Sequence, residues 1–190
     1  MVKKKVNLMA STFEQNLQTY ADLVVKVGLN IRPGQRLVIR APIETAPAIR
    51  LVAASAYRAG ARLVDVMWSD EAITLTRFNY APRDSFEEFP TWRTDGLLQA
   101  VQRGDAMLSV RANNPDLLAG QDPELISTAM QTAQKHMLPA LEYTMRDAVN
   151  WLVIGVPTPD WAAKIFPTLK PDAQLQRLWD TIFDVCRINR

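Results

Sequence analysis

Histidine and cysteine, the side chains on which most zinc sites depend, are scarce in this chain of 190 residues. His136 is its one histidine and Cys186 its one cysteine. A zinc site needs three or four ligands that converge, and a two-metal hydrolase needs more. Because His136 has no second histidine or cysteine to accompany it, we interpret it as an ordinary helix-surface or packing residue. The sequence therefore predicts no metal-binding residue in this chain.

The sequence also lacks the residue pattern that nucleophilic catalysis needs. Cys186 lies in a final amphipathic helix, where cysteine usually behaves as a small apolar side chain, and no base is near it. A serine nucleophile would have to use His136 as its base, and no serine stands in a G-x-S-x-G turn. We therefore predict no catalytic residue, and no acyl-transfer chemistry, in this chain.

Two turns that follow apolar runs are the remaining places for a ligand. The first, 41–44, has no glycine through which backbone amides could approach a phosphate, and Glu44 would repel one. The second places Asp70 and Glu71 where open α/β sheets bind ligands. They could hold a cation or a peptide amine. Alternatively, Ser69 or Asp70 caps the next helix and Glu71 favours its dipole. We favour this structural role, so no cofactor-binding residue is predicted.

The pattern of apolar residues predicts the helices and strands that position these side chains. Short apolar runs at 37–39, 63–68, 106–110 and 151–156 are typical of strands buried on both faces. Periodicity or composition predicts helices before and between these strands, over 13–27, 46–59, 70–80, 92–103 and 123–146. Two further helices are predicted to start at Thr158 and at Pro171. The alternation predicts an α/β domain with a mostly parallel sheet of about four or more strands flanked by helices, a Rossmann-like three-layer arrangement.

The chain is expected to form one domain over 1–190. Ser11 and Glu14 are spaced as a capping box at the start of the first helix. Residues 1–11 are therefore expected to be a flexible tail. The five tryptophans lie mostly on apolar faces or beside prolines, which indicates packing in the core or at an interface.

Charge and hydropathy exclude several classes of partner. Lysine and arginine total 22 against 20 acidic residues, a net charge of +2, and the basic residues are scattered after the three lysines at 3–5. A nucleic-acid footprint needs a basic stripe, so no nucleic acid is expected. No apolar run approaches the roughly 20 residues that span a bilayer, so no membrane association is expected. With a single cysteine, no internal disulfide is possible, and we expect a cytoplasmic protein.

Several short stretches carry a resemblance that runs over nearly the whole chain. They are 27–30 with 33–37, 59–61, 68–71, 88–92, 114–120 and 149–167. The last is the most distinctive, with Asn150-Trp151, Pro157-Thr158-Pro159, Trp161-Ala162-Ala163-Lys164 and Phe166-Pro167 in sequence. Together they resemble the amino-terminal part of the thermophilic-type metalloaminopeptidases, the family of aminopeptidases T and S.

This resemblance implies a function that belongs to a larger parent protein. Such a parent releases amino-terminal residues from peptides, with two divalent metal ions of zinc, cobalt or manganese type. Their glutamate, histidine and aspartate ligands lie in a later, carboxy-terminal domain, which is absent here. The resemblance therefore implies an amino-terminal domain of a two-domain parent. This chain alone is expected to be inactive, and to act as scaffold and assembly domain of a homodimer.

Two alternatives stay open at this point. One is a stand-alone α/β module that binds a small ligand near Asp70 and Glu71. The other is an interaction domain that exposes the region from Trp151 to Trp179 to a partner protein.

Overall fold

A computed structural model describes residues 2–112 and 114–188 of the chain, with side chains from Thr12 onward. The helices and strands in this part of the chain are, in order, α1 (Val2–Leu23), β1 (Arg36–Pro42), α2 (Ala46–Arg58), β2 (Leu63–Ser69), α3 (Glu71–Tyr80), α4 (Thr91–Gln102), β3 (Ala106–Arg111), α5 (Pro123–Met145), β4 (Trp151–Gly155), α6 (Pro159–Ile165) and α7 (Pro171–Val185). A π-helical turn, Val24–Gly28, continues α1, and 3-10 turns cover Ile43–Thr45 and Arg83–Glu87. Each predicted strand is observed, but the predicted burial on both faces holds only for β1 and β3. β2 and β4 lie at the edges of the sheet, and most of their residues are half-buried or exposed.

The four strands form one parallel sheet in the order β2-β1-β3-β4. The predicted α/β class and parallel sheet are therefore confirmed. The chain passes from β1 outward to β2 and then returns to place β3 on the other side of β1. The direction of winding thus reverses between β1 and β3. Open α/β sheets bind ligands in the crevice outside the carboxyl ends of the strands at such a point.

The larger core lies between one face of the sheet and helices α1, α2 and α7. Successive side chains of a strand point to opposite faces, which places Leu37 and Ile39 together in this core, both fully buried. An aromatic cluster joins α1 to α7. Trp179 and Phe183 stack with their ring centroids 5.3 Å apart, and Tyr20 lies 6.1 and 6.4 Å from those rings.

A smaller core lies on the opposite face, beneath α4 and α5. Val38 of β1 and Met107 of β3 pack there against Leu97, Val101 and other apolar residues. This core stops short of the carboxyl ends of the strands, so the last positions on this face are left for polar side chains.

The first helix begins earlier than the sequence predicts. α1 starts at Val2, so the expected capping box of Ser11 and Glu14 does not open the helix. The reason is that 2–10 contains no glycine or proline to stop a helix, and nothing forces Ser11 out of helical dihedrals. The side chains of 1–11 lie outside the described residues, and the flexibility of that segment stays a prediction. None of the described helices is long and apolar enough to cross a membrane.

Candidate functional site

A hollow of about 270 Å³ opens at the carboxyl ends of β1, β2 and β3. It lies at the point where the winding of the sheet reverses, and residues of α4 and α5 contribute to its wall. Among the described residues that line it, every titratable side chain is an arginine: Arg40 of β1, Arg93 of α4 and Arg111 of β3. We name this hollow the arginine crevice.

The strand register explains why two of these arginines are neighbours. Arg40 pairs with Ser109, and Arg111 follows Ser109 by two positions on β3. Since side chains alternate along a strand, Arg40 shares a face with Val38, and both Ser109 and Arg111 share a face with Met107. All of them therefore lie on the face covered by α4 and α5, where the apolar core gives way to polar positions.

The charged side chains among the described residues that line the crevice are all positive. Arg40 is half-buried, and none of the ion pairs among the described residues includes Arg40 or Arg111. Burial, followed by the positive charge of Arg111, lowers the pKa of Arg40. A guanidinium keeps its proton in proteins, so two like charges remain close together in a partly desolvated site. Such an arrangement is unfavourable without an opposite charge.

The remaining polar groups of the crevice include further hydrogen-bond donors. Arg93 reaches it from α4, with its guanidinium carbon 5.2 Å from the centroid of the Trp92 ring. Ser69 and Ser109 contribute hydroxyl groups. A second hollow of about 160 Å³ also borders both Arg40 and Arg111, and most of its other lining residues are apolar ones of β3, β4, α4 and α5.

The two carboxylates that the sequence singles out have structural partners. Asp70 Oδ1 accepts hydrogen bonds from the backbone N–H groups of Ala72 at 2.8 Å and Ile73 at 3.1 Å, which caps α3. Glu71 Oε1 accepts the backbone N–H of Asn114 at 2.8 Å, which fastens the segment after β3 to the start of α3. The predicted helix cap is confirmed for Asp70, and Glu71 makes a tertiary contact that the sequence does not predict.

Neither His136 nor Cys186 lines the arginine crevice, although Phe89, on which His136 stacks, does. The half-buried His136 stacks on Phe89, with ring centroids 5.2 Å apart and planes 11° apart. Cys186 follows α7 and is half-buried, and burial raises the pKa of its thiol, so the reactive thiolate is scarcer than usual. Among the described residues, no group of three or more histidine, cysteine, aspartate or glutamate side chains could hold a metal ion. These residues do not fit the metal pair that the resemblance implies.

Sequence reasoning missed Arg40 and Arg111. Each comes at or near the end of a strand whose other positions are mostly apolar, and a charge at that point is the available signal. Without the strand order, the signal does not reveal that the two arginines lie side by side.

Comparison with known protein families supports the resemblance over nearly the whole chain. A family model described as thermophilic metalloprotease (M29) matches residues 13–190. The chain is 42% identical over 178 residues to Aminopeptidase 2 of Geobacillus stearothermophilus and 36% identical over 178 residues to Aminopeptidase AmpS of Bacillus subtilis. Each alignment covers 94% of this chain and 43% of the relative. The chain therefore spans less than half the length of these curated relatives.

A solved structure has the same fold over the same extent. It is described as wild-type AmpT from Thermus thermophilus, and it matches with a TM-score of 0.87 and 35% sequence identity. The match covers 90% of this chain and 43% of that chain. The sheet and helices described above thus correspond to part of a larger structure in that protein.

Proposed function

This chain belongs to the thermophilic metalloprotease family M29, and on that premise we propose that it is the amino-terminal domain of a metal-dependent aminopeptidase. The parent enzyme releases amino-terminal residues from peptides. The observation that carries this proposal is the family match over 13–190, together with similarity to proteins named aminopeptidase over 94% of the chain.

In this proposal the metal ions are held by residues outside the printed sequence. A two-metal site needs more converging ligands than the described residues bring together. Two divalent ions of zinc, cobalt or manganese type would polarise the peptide carbonyl and activate water in the parent enzyme. The role proposed for this chain is that of a scaffold that helps to enclose the peptide site, without catalysis of its own.

A stand-alone module that binds a small ligand at Asp70 and Glu71 is less well supported. Both carboxylates already accept backbone N–H groups of this chain. A ligand amine or cation at this position would have to share carboxylates that already serve the cap of α3 and the contact to Asn114.

The test is a chimaera built on the Geobacillus relative. Residues 13–190 of this chain replace the region of Aminopeptidase 2 to which they are similar, and release of the amino-terminal residue from trileucine is measured with zinc, cobalt or manganese. We expect the chimaera to be active and the activity to be lost when a chelator removes the metal. The isolated chain, assayed in the same three metals, is expected to release nothing.

Two results would contradict this assignment. A chimaera that is folded and loaded with metal but inactive would show that this chain does not serve as the aminopeptidase scaffold. Turnover by the isolated chain that stops on chelation would show that the chain holds its own catalytic metal. The unmodified relative is the control for both measurements.

We also propose that the parent is a homodimer, to which this domain contributes contact surface. A largely apolar hollow of about 490 Å³ lies between the π-helical turn, β4 and α7. Val27 and Val185 line it and are 69% and 78% exposed. Exposed apolar patches commonly mark interaction surfaces. Light scattering of the chimaera should give the mass of a dimer, and a monomer would contradict this part of the proposal.

Location in the cytoplasm stays a prediction.

A further inference from the structure

We propose that the arginine crevice binds the terminal carboxylate of a short peptide, held chiefly by Arg40 and Arg111. That the ligand is a peptide rests on the proposed aminopeptidase function. That it is an anion rests on the crevice alone.

The first support is the balance of charge. Three arginines line one hollow, and none of its described lining residues is acidic. Some exposed cations elsewhere in the described chain pair with carboxylates, as in Arg83–Asp122 and Lys164–Asp116 at 2.7 Å, and others do not. What distinguishes Arg40 is that it is half-buried beside a second arginine. Arg40 and Arg111 have no such partner in the described residues, although they lie close enough for the charge of one to affect the other. An external anion would supply the missing opposite charge.

The second support is the position of the crevice in the sheet. The crevice lies at the carboxyl ends of β1 and β3, where the sheet order reverses, and this is where open α/β sheets bind their ligands. Arg40 and Arg111 start from neighbouring strands of a rigid sheet, and Ser109 of β3 is the register partner of Arg40. Donors on rigid elements lose less freedom on binding than donors on loops.

The chemistry of the donors favours a carboxylate over a phosphate. Sites for phosphate commonly use backbone amides of a glycine-rich turn or a helix start. Here β1 ends at Pro42, which has no N–H, and the turn that follows it contains no glycine. The planar guanidinium fork matches the oxygens of a carboxylate and of a phosphate alike. The preference for a carboxylate therefore rests on the lack of such backbone amides after β1.

The size of the crevice suits one end of a peptide. Its volume of about 270 Å³ is slightly below the roughly 300–1,000 Å³ of ligand pockets that enclose whole small molecules. The neighbouring hollow of about 160 Å³, which has mostly apolar walls apart from the same two arginines, would receive an adjacent side chain.

The experiment is an NMR titration of the nitrogen-15-labelled chain, read on the arginine Nε–H signals and the backbone amides. Three probes are compared, which are trialanine, trialanine amide and inorganic phosphate. The test variant is Arg111→Gln, an exposed position whose change leaves the cores intact. The matched control is Arg36→Gln, which removes the same charge at the opposite end of β1. Thermal melting followed by circular dichroism checks that both variants are folded.

We expect trialanine to shift the Arg40 and Arg111 signals saturably. Its amide and the Arg111→Gln variant should each bind about tenfold more weakly, as loss of a charge-assisted hydrogen-bond pair requires. Arg36→Gln should bind trialanine within about twofold of the original chain, since it lies outside the crevice. Phosphate should bind more weakly than trialanine.

Several results would overturn the inference. One is that trialanine and its amide bind equally tightly, and another is that Arg111→Gln and Arg36→Gln lose equal affinity for trialanine. Tighter binding of phosphate than of trialanine, or no saturable shift with any probe, would also contradict it. An active chimaera combined with any of these would leave the aminopeptidase assignment in place. An inactive chimaera combined with carboxylate binding would remove that assignment and leave the anion site.

Discussion

The hydrogen bond between Ser55 of α2 and Asp22 of α1 offers a test of what joins these two helices. Ser55 is fully buried, and its Oγ donates to Asp22 Oδ1 at 2.6 Å. Asp22 also accepts Lys26 Nζ at 3.0 Å and Gln18 Nε2 at 3.0 Å, both from its own helix. Replacement of Ser55 by alanine removes this hydrogen bond from α2 with little change in volume and leaves the carboxylate its other partners, which include Arg58 of α2 at 3.6 Å.

The expected cost follows from the type of bond. Hydrogen bonds to charged groups contribute roughly 1.5–3 kcal/mol. Because the Asp22 side chain is one-third exposed and can recruit water, we expect Ser55→Ala to lower the free energy of unfolding by an amount near the lower end, about 1.5 kcal/mol. Ser127→Ala, an exposed serine on α5, is the control and should change stability by less than about 0.5 kcal/mol.

The pH dependence gives a second measurement. The Ser55 hydroxyl, and then Lys26, lowers the pKa of Asp22 from its usual value of 3.8. Since the folded pKa lies below the unfolded one, the stabilisation is present above the unfolded pKa and is lost as the pH falls through the folded pKa. The difference between the original chain and Ser55→Ala should therefore be largest at neutral pH and shrink in acid.

Urea unfolding followed by circular dichroism, repeated from pH 7 downward, measures both effects. A loss at pH 7 no greater than that of Ser127→Ala would refute the assigned strength of the bond. A loss that stays constant as Asp22 becomes protonated would show that the hydroxyl does not act through the carboxylate.

Two further substitutions test the core and the cap of α3. Phe183 is 1% exposed within the aromatic cluster, and Phe183→Ala should cost about 3–5 kcal/mol in urea unfolding. Tyr80→Ala, at a position 84% exposed, should cost less than about 1 kcal/mol, and similar losses in the two would refute the packing account. Asp70→Ala should cost about 1 kcal/mol while Asp70→Asn costs much less, because asparagine also caps helices. Equal losses would mean that the charge of Asp70, rather than its cap, stabilises α3.

Local patterns sufficed to predict most of the secondary structure. The apolar run at 37–39 and the alanine-rich stretch after it have the composition of a buried strand and a closely packed helix, and both are observed as β1 and α2. Where a local signal has several outcomes, prediction was weaker. The spacing of Ser11 and Glu14 matches a capping box, but a helix without a breaker continues through such a pair, and α1 begins at Val2.

The α/β class, the order of the elements and the family could be predicted without coordinates, because periodicity and short motifs are local properties of the chain. The position of β3 beside β1 rather than beside β2 could not, since strand order depends on which surfaces pack together in the folded chain. That order brings Arg40 and Arg111 side by side from distant parts of the sequence. It also gives Glu71 a partner in Asn114. Residues that are far apart in the chain but in contact in the fold have no characteristic spacing in the sequence. The arginine crevice could therefore be recognised only from the assembled sheet.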